Sequence, residues 1–202
     1  MNYLIAFLLW AGFGVIHSAF ISLRFTNWAA RVMGKYFVFY RLIYNIKSII
    51  FFIVLVMITN TLDSELVVYF TYPWTILQLF LLITAGVTMI WCFWGYDVLE
   101  FLGVRQIMNL FDTKDSVQKK EITKKGLLKF VRHPLYVLFI IIMWLLDSTR
   151  VGIFVRLILT AYIIIGTWLE EKKLVKEFGT AYIQYQKEVP MFIPFTKKRH
   201  KK

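Results

Sequence analysis

Apolar runs of membrane-crossing length alternate along this chain with short intervals that hold most of the charge. Tyr3 to about Leu23 is the first run. A helix rises about 1.5 Å per residue, so about 20 apolar residues cross a hydrocarbon core of about 30 Å. The same pattern predicts helices over Leu42–Thr59, from Trp74 to about Trp94, from Pro134 to about Leu146, and over Val151–Leu169. Pro73 and Pro134 stand where a helix tolerates proline, at its opening turn. The Pro134 run is short for a full crossing. Beyond it, Leu174, Phe178, Tyr182 and Tyr185 recur at helical spacing. That stripe predicts that the last helix continues along the membrane surface, with Lys172, Lys173, Lys176 and Lys187 toward water or headgroups, until Val189-Pro190 ends it.

The polar intervals set an orientation. The 24–41 interval reads as a loop carrying Arg24, Arg31, Lys35 and Arg41 without an acid. The 60–72 loop holds Asp63 and Glu65 without a base, and Asp147 to Arg150 forms a turn. The 97–132 interval holds eight bases and five acids, and its Phe101, Leu102, Ile107, Leu110 and Phe111 predict packing on the membrane surface. A basic tail runs from Lys197 to Lys202. Basic loops stay cytoplasmic, and Trp74, Trp91, Trp94 and Tyr96 suit the interfacial belts. The expectation is an all-α polytopic integral membrane protein of about five transmembrane helices, with the N-terminus outside and the C-terminus cytoplasmic. Residues 1–95 would supply three helices. Residues 96–202 would form the chemical region, a helical hairpin followed by a cytoplasmic C-terminal helix.

Composition agrees. Hydrophobic residues make up 59% and aromatics 18% of 202 residues, and mean hydropathy is +0.63. A soluble domain of this size could not cover so much apolar surface. The net charge of +12 flanks the apolar runs instead of forming one recognition face. It therefore points to membrane lipids and not to nucleic acid. Cys92, the single cysteine, falls in an apolar run and reads as packing. His17, His133 and His200 are scattered, which predicts no metal site. His17-Ser18 reads as a hydrogen-bonded or interfacial pair within the first helix. Met1-Asn2 lacks a positive n-region, so the first run reads as a helix and not a leader. Lys47 is near enough to the start of its helix to snorkel. Oligomeric state leaves no mark.

The chemistry gathers at Lys129-Phe130-Val131-Arg132-His133-Pro134-Leu135-Tyr136 and at Glu170-Glu171. If the two intervening runs go out and come back, Arg132 and the glutamates share one membrane face. Arg132 and Tyr136 are four apart on a helix that begins at Pro134. Arginine matches a carboxylate with two donors, and glutamates accept from an ammonium or from ribose hydroxyls. S-adenosylmethionine carries that set of groups. Spacing alone leaves a second reading open: ordinary flanking charge for Arg132 and interfacial charge for the glutamates. No Gly-x-Gly-x-x-Gly follows a predicted strand, so a Rossmann-type cofactor site is not expected.

Gly126, Arg132-His133-Pro134-Leu135-Tyr136, Leu169-Glu170-Glu171, Phe178-Gly179, Tyr182, Tyr185 and Val189-Pro190 together resemble the C-terminal signature of membrane methyltransferases of the isoprenylcysteine carboxyl methyltransferase type. Gly95-Tyr96-Asp97, residues 101–106 and residues 188–194 are similar to the bacterial methanethiol S-methyltransferase branch. His17-Ser18 and Arg41-Leu42-Ile43-Tyr44-Asn45 resemble that branch and its NnrU and nurim relatives more loosely. The resemblance implies an S-adenosyl-L-methionine site on the cytoplasmic face, formed by Gly126, Leu127, Arg132, His133, Pro134, Tyr136, Glu170 and Glu171. Among these, His133 and Arg132 are the candidates to assist reaction. It implies methylation of a small hydrophobic thiol. An isoprenylcysteine carboxylate, a lipid headgroup or another lipid-like substrate is an alternative acceptor, and a non-enzymatic NnrU/nurim-like protein is an alternative altogether. Leu128 and Leu138 depart from the family, which usually has a tyrosine and a glycine there.

Overall fold

The computed structural model describes residues 1–63, 65–93, 98–109, 122–194 and 196. Trp94, the Gly95-Tyr96-Asp97 motif, Leu110, Phe111 and the Lys197–Lys202 tail lie outside the described residues. The protein is an all-α membrane protein with only two very short strands among the described residues. The helices are α1 (Asn2–Ile21), α2 (Leu23–Met33), α3 (Tyr40–Leu62), α4 (Trp74–Phe93), α5 (Val98–Leu102), α6 (Val104–Met108), α7 (Pro134–Leu145), α8 (Arg150–Phe178) and α9 (Thr180–Glu188). Within the described residues, the stretches containing α1, α3, α4 and α8 are long and apolar enough to cross a membrane, and α7 is a shorter apolar helix. The apolar part of α8 ends at Leu169, so Glu170, Glu171 and the residues after them lie past the span.

Two compact units interleave along the sequence. The first contains residues 1–68, 97–117 and 148–159. In it α1 packs on α3 through fully buried Ala6 and Trp10. Trp10 Nε1 donates to Thr59 Oγ1 at 2.9 Å, which satisfies the indole at a depth where water is absent. The interval expected to be a basic loop is instead α2 followed by a 3-10 turn over Gly34–Phe39. Ser22 starts α2, accepting from the Phe25 amide at 3.3 Å, and Arg31 lies in its last turn, where a cation favours the helix. Of the cations that suggested a loop, Arg24 and Arg31 lie on α2, Lys35 in the 3-10 turn and Arg41 in the first turn of α3.

Gly103 joins two more stretches of this unit. Its φ of +89° is left-handed, and a Cβ there would lie 2.8 Å from the Leu42 amide nitrogen. Asn45 Nδ2 donates to the Leu102 carbonyl beside it at 3.2 Å. The turns expected after α3 and before α8 also pair. Leu66–Val68 (β1) and Ser148–Thr149 (β2) run antiparallel, and Arg150 Nη2 reaches Glu65 Oε2 at 3.2 Å.

The second unit contains residues 69–96, 118–147 and 160–202. Here α4 packs against α7, with Ala85, Cys92 and Met143 buried. Gln78 Nε2 ties down the end of α7, donating to the Leu145 carbonyl at 2.8 Å and to Asp147 Oδ1 at 3.1 Å. Trp144 Nε1 donates to Thr160 Oγ1 at 3.1 Å near one end of α7, while Tyr136 meets Glu170 near the other. The chain therefore goes out along α7 and returns along α8.

The stripe from Leu174 to Tyr185 is not one continuous helix. It breaks at Gly179, whose φ is +59°, and α9 turns back so that Tyr182, Tyr185 and Val189 are buried against Ile122, Leu174, Val175 and Phe178. Packing of these aromatics organises the C-terminal segment.

Candidate functional site

The approach to the site begins at Gly126, where a left-handed φ of +55° opens a 3-10 turn through Lys129. Leu127 accepts from the amides of Phe130 and Val131 at 2.9 and 3.1 Å. Leu128 is buried, and its carbonyl accepts the Tyr185 hydroxyl at 2.6 Å. Backbone pairing then holds the next two residues: the Arg132 amide donates to the Pro190 carbonyl at 3.0 Å, and the His133 amide to Met191 at 3.2 Å. Pro134 is fully buried at the first turn of α7, where its missing N–H costs nothing.

Arg132 and Glu171 form the centre. Nε and Nη2 of the guanidinium donate to Oε1 and Oε2 of Glu171, each at 2.6 Å. The remaining terminal nitrogen, Nη1, donates to the Gln186 carbonyl at 3.2 Å and to the Val189 carbonyl. Glu171 also accepts from Tyr182 at 3.0 Å and from Gln186 Nε2 at 2.7 Å, and it contacts His133 Nε2 at 2.9 Å. Arg132 is 7% exposed and Glu171 4%. A buried ion pair persists only where such additional hydrogen bonds satisfy both partners, and this one has them.

The electrostatics follow. Burial alone would raise the Glu171 carboxyl. Hydrogen bonds from His133, Arg132 and Gln186, together with the Arg132 charge, outweigh burial and hold the carboxyl well below the usual range. Burial pushes the Tyr185 hydroxyl up to about 12, and burial with the Glu171 charge raises Tyr182 as well.

A second tier faces outward. Tyr136 is 38% exposed and donates to Glu170 Oε2 at 3.0 Å, and Glu170 is half-buried. The Tyr136 ring stacks on His133 with centroids 5.7 Å apart at 10°, and Phe192 closes on His133 at 6.2 Å.

The structure thus brings Arg132, His133, Glu171, Tyr136 and Glu170 into one cluster. Gly126 is exposed, with open space where a Cβ would stand, and together with Leu127 it lies on the approach to that cluster. The two Arg132 donors that spacing reserves for a ligand carboxylate are engaged by Glu171. Gln186 carries no signal in the sequence. Val189-Pro190 and Met191 enter it only as a helix end and through the resemblance, neither of which says that their carbonyls accept from Arg132 and His133. Tyr182 belongs to the stripe and to the resembling signature, and Gln186 lies four residues on along α9. Among the described residues no group of three metal-binding side chains occurs.

Three curated relatives are similar to about half of this chain. The methanethiol S-methyltransferase of a Pseudomonas sp. is 37% identical over 117 residues, covering 54% of this chain and 45% of the relative. That of Pseudomonas deceptionensis is 38% identical over 116 residues, covering 53% and 44%. That of Crocosphaera subtropica is 36% identical over 101 residues, covering 50% and 39%. The chain therefore spans less than half the length of each. No family model matches, and no solved structure matches. The proteins similar to this chain carry the name of the branch that residues 101–106 and 188–194 resemble.

Proposed function

We propose that this protein is an integral-membrane methyltransferase that uses S-adenosyl-L-methionine and methylates a small hydrophobic thiol. The observation that carries the proposal is the Arg132–His133–Glu171 cluster bordered by the outward-facing Tyr136–Glu170 pair, on a chain similar to methanethiol S-methyltransferases. Its chemistry fits that cofactor. A half-buried carboxylate suits an ammonium or ribose hydroxyls, and the aromatic faces of Tyr136 and Phe192 suit a cation or a flat base. The bound cofactor would supply an electrophilic methyl group to a thiolate.

Within that scheme the residues divide their work. Glu170 and Tyr136 contact the cofactor. Arg132 and Glu171 position them, because their own hydrogen-bonding groups are engaged with each other and with α9. Gly126, Leu127 and Pro134 shape the approach. His133 turns Nε2 to Glu171, which leaves Nδ1 as the ring atom able to take a thiol proton when Nε2 carries the hydrogen. Rate would come chiefly from alignment, which can contribute about 7–11 kcal/mol, and from excluding water. Residues 96–202 would supply this region, facing the cytoplasm. The β1–β2 pairing supports that orientation, since it joins the base-poor 60–72 loop to the turn before α8.

The engaged Arg132 also favours a second reading, a non-enzymatic membrane protein in which the cluster is a structural joint. The test is methyl transfer from labelled S-adenosylmethionine, read by mass spectrometry, to methanethiol, longer thiols, a prenylated cysteine and a lipid amine. Transfer to the thiols is expected. Transfer to the prenylated carboxylate or the amine alone would move the acceptor, and no transfer to any of them would favour the structural reading.

A further inference from the structure

The first unit contains a cavity of about 300 Å³ between α1, α2 and α3. Phe20, Phe25, Trp28, Val32 and Tyr40 form its wall, and Lys47 is the one charged lining residue. Water is a poor occupant, because it needs two to four polar partners. The Tyr40 hydroxyl is already donated to the Phe20 carbonyl at 2.6 Å, and the Tyr44 hydroxyl lies 2.8 Å from the His17 ring nitrogens. The size is at the lower end for a small-molecule site, roughly 300–1,000 Å³.

Charge identifies the occupant. No acid occurs from Met1 to Leu62, while Arg24 and Arg31 lie on α2, Lys35 in the 3-10 turn after it and Arg41 at the start of α3. Among the described residues no ion pair joins any of these cations or Lys47 to a carboxylate. Lys47 Nζ instead sits 3.1 Å from the centroid of the Phe20 ring. It stands seven residues into α3, roughly 10 Å along the axis from Tyr40. A long flexible cation at that depth extends toward the headgroup level, with its stem along apolar surface.

We propose that this cavity takes one acyl chain of an anionic phospholipid, whose phosphate faces Lys47 and the basic α2–α3 segment. The aromatic wall fits the chain, the cations fit the phosphate, and residues 1–62, which form the cavity, hold no acid. The site is independent of methyl transfer and stands whether or not that reading holds.

The test is native mass spectrometry of the full chain in detergent with phosphatidylglycerol or phosphatidylcholine bearing the same acyl chains. Phosphatidylglycerol should be retained at concentrations about fivefold lower, the order set by one juxtamembrane cation. Lys47→Met should reduce that preference, and Val32→Trp should weaken retention of both lipids by filling the cavity. Equal retention of the two lipids by the wild type, or an unchanged preference in Lys47→Met, would overturn the site. Phosphatidylglycerol brominated on its chain provides a check on the unaltered fold. It should quench the Trp28 emission, read as the difference between the wild type and Trp28→Phe; no such quenching would also overturn it.

Discussion

Tyr182 donates to Glu171 Oε1 at 3.0 Å, the same oxygen that accepts Arg132 Nε at 2.6 Å. One carboxylate therefore joins the entry to α7, the end of the α8 span and the returning helix α9. The buried groups act as a single joint, and Arg132, Glu171 and Tyr182 should fail together.

Glu171→Gln leaves the Arg132 charge buried without its partner. Breaking a buried pair on one side costs about 3–5 kcal/mol. Thermal unfolding in detergent should show a loss of that order, whereas Glu170→Gln, at the half-buried outer tier, should unfold almost as the wild type does.

Tyr182→Phe removes one hydrogen bond to a charged group while preserving the ring's packing. Such bonds contribute about 1.5–3 kcal/mol. The loss should be smaller than in Glu171→Gln, and the double variant should be less destabilised than the sum of the two, since both act on one carboxylate.

The joint should also be sensitive to acid. The Glu171 carboxyl is held below its ordinary 4.5, so the native state binds its proton less readily than the unfolded chain does. Its stabilisation is complete above pH 4.5 and is lost as pH falls through the depressed native value. A pH series of unfolding midpoints should show an acid limb that Glu171→Gln flattens. At the alkaline end the sign reverses. Tyr185 is raised from 10.0 to about 12, so its contribution is complete below pH 10 and declines as pH passes 12.

Gly103→Ala should destabilise the first unit by about 1–3 kcal/mol, because a side chain would be forced into a left-handed conformation and against the Leu42 backbone. Gly126→Ala faces open space and bears only the backbone cost. Comparing the two unfolding midpoints checks the difference.

The apolar runs were legible because membrane-crossing helices need a length that few other patterns supply. Thus the predicted run from Tyr3 to about Leu23 matches α1, and the predicted Leu42–Thr59 helix lies within α3. The meeting of Arg132 with Glu171 was legible from the out-and-back path. That Glu171 engages the guanidinium itself was not, because it depends on the carbonyls of Gln186 and Val189, which only a break at Gly179 can deliver. Periodicity hid that break, since Leu174, Phe178, Tyr182 and Tyr185 fit one helix as well as two. Arg24 and Arg31 disguised α2 in the same way, exposed cations on a helix passing for a loop.

Cofactor binding separates the outer tier from the joint. Isothermal calorimetry of the purified chain in detergent with S-adenosylhomocysteine should give saturable heat. Glu170→Gln should weaken that binding at least about tenfold, equivalent to about 1.4 kcal/mol, while its unfolding midpoint stays close to the wild type. No binding by well-folded wild-type protein, or wild-type affinity in Glu170→Gln, would contradict the account.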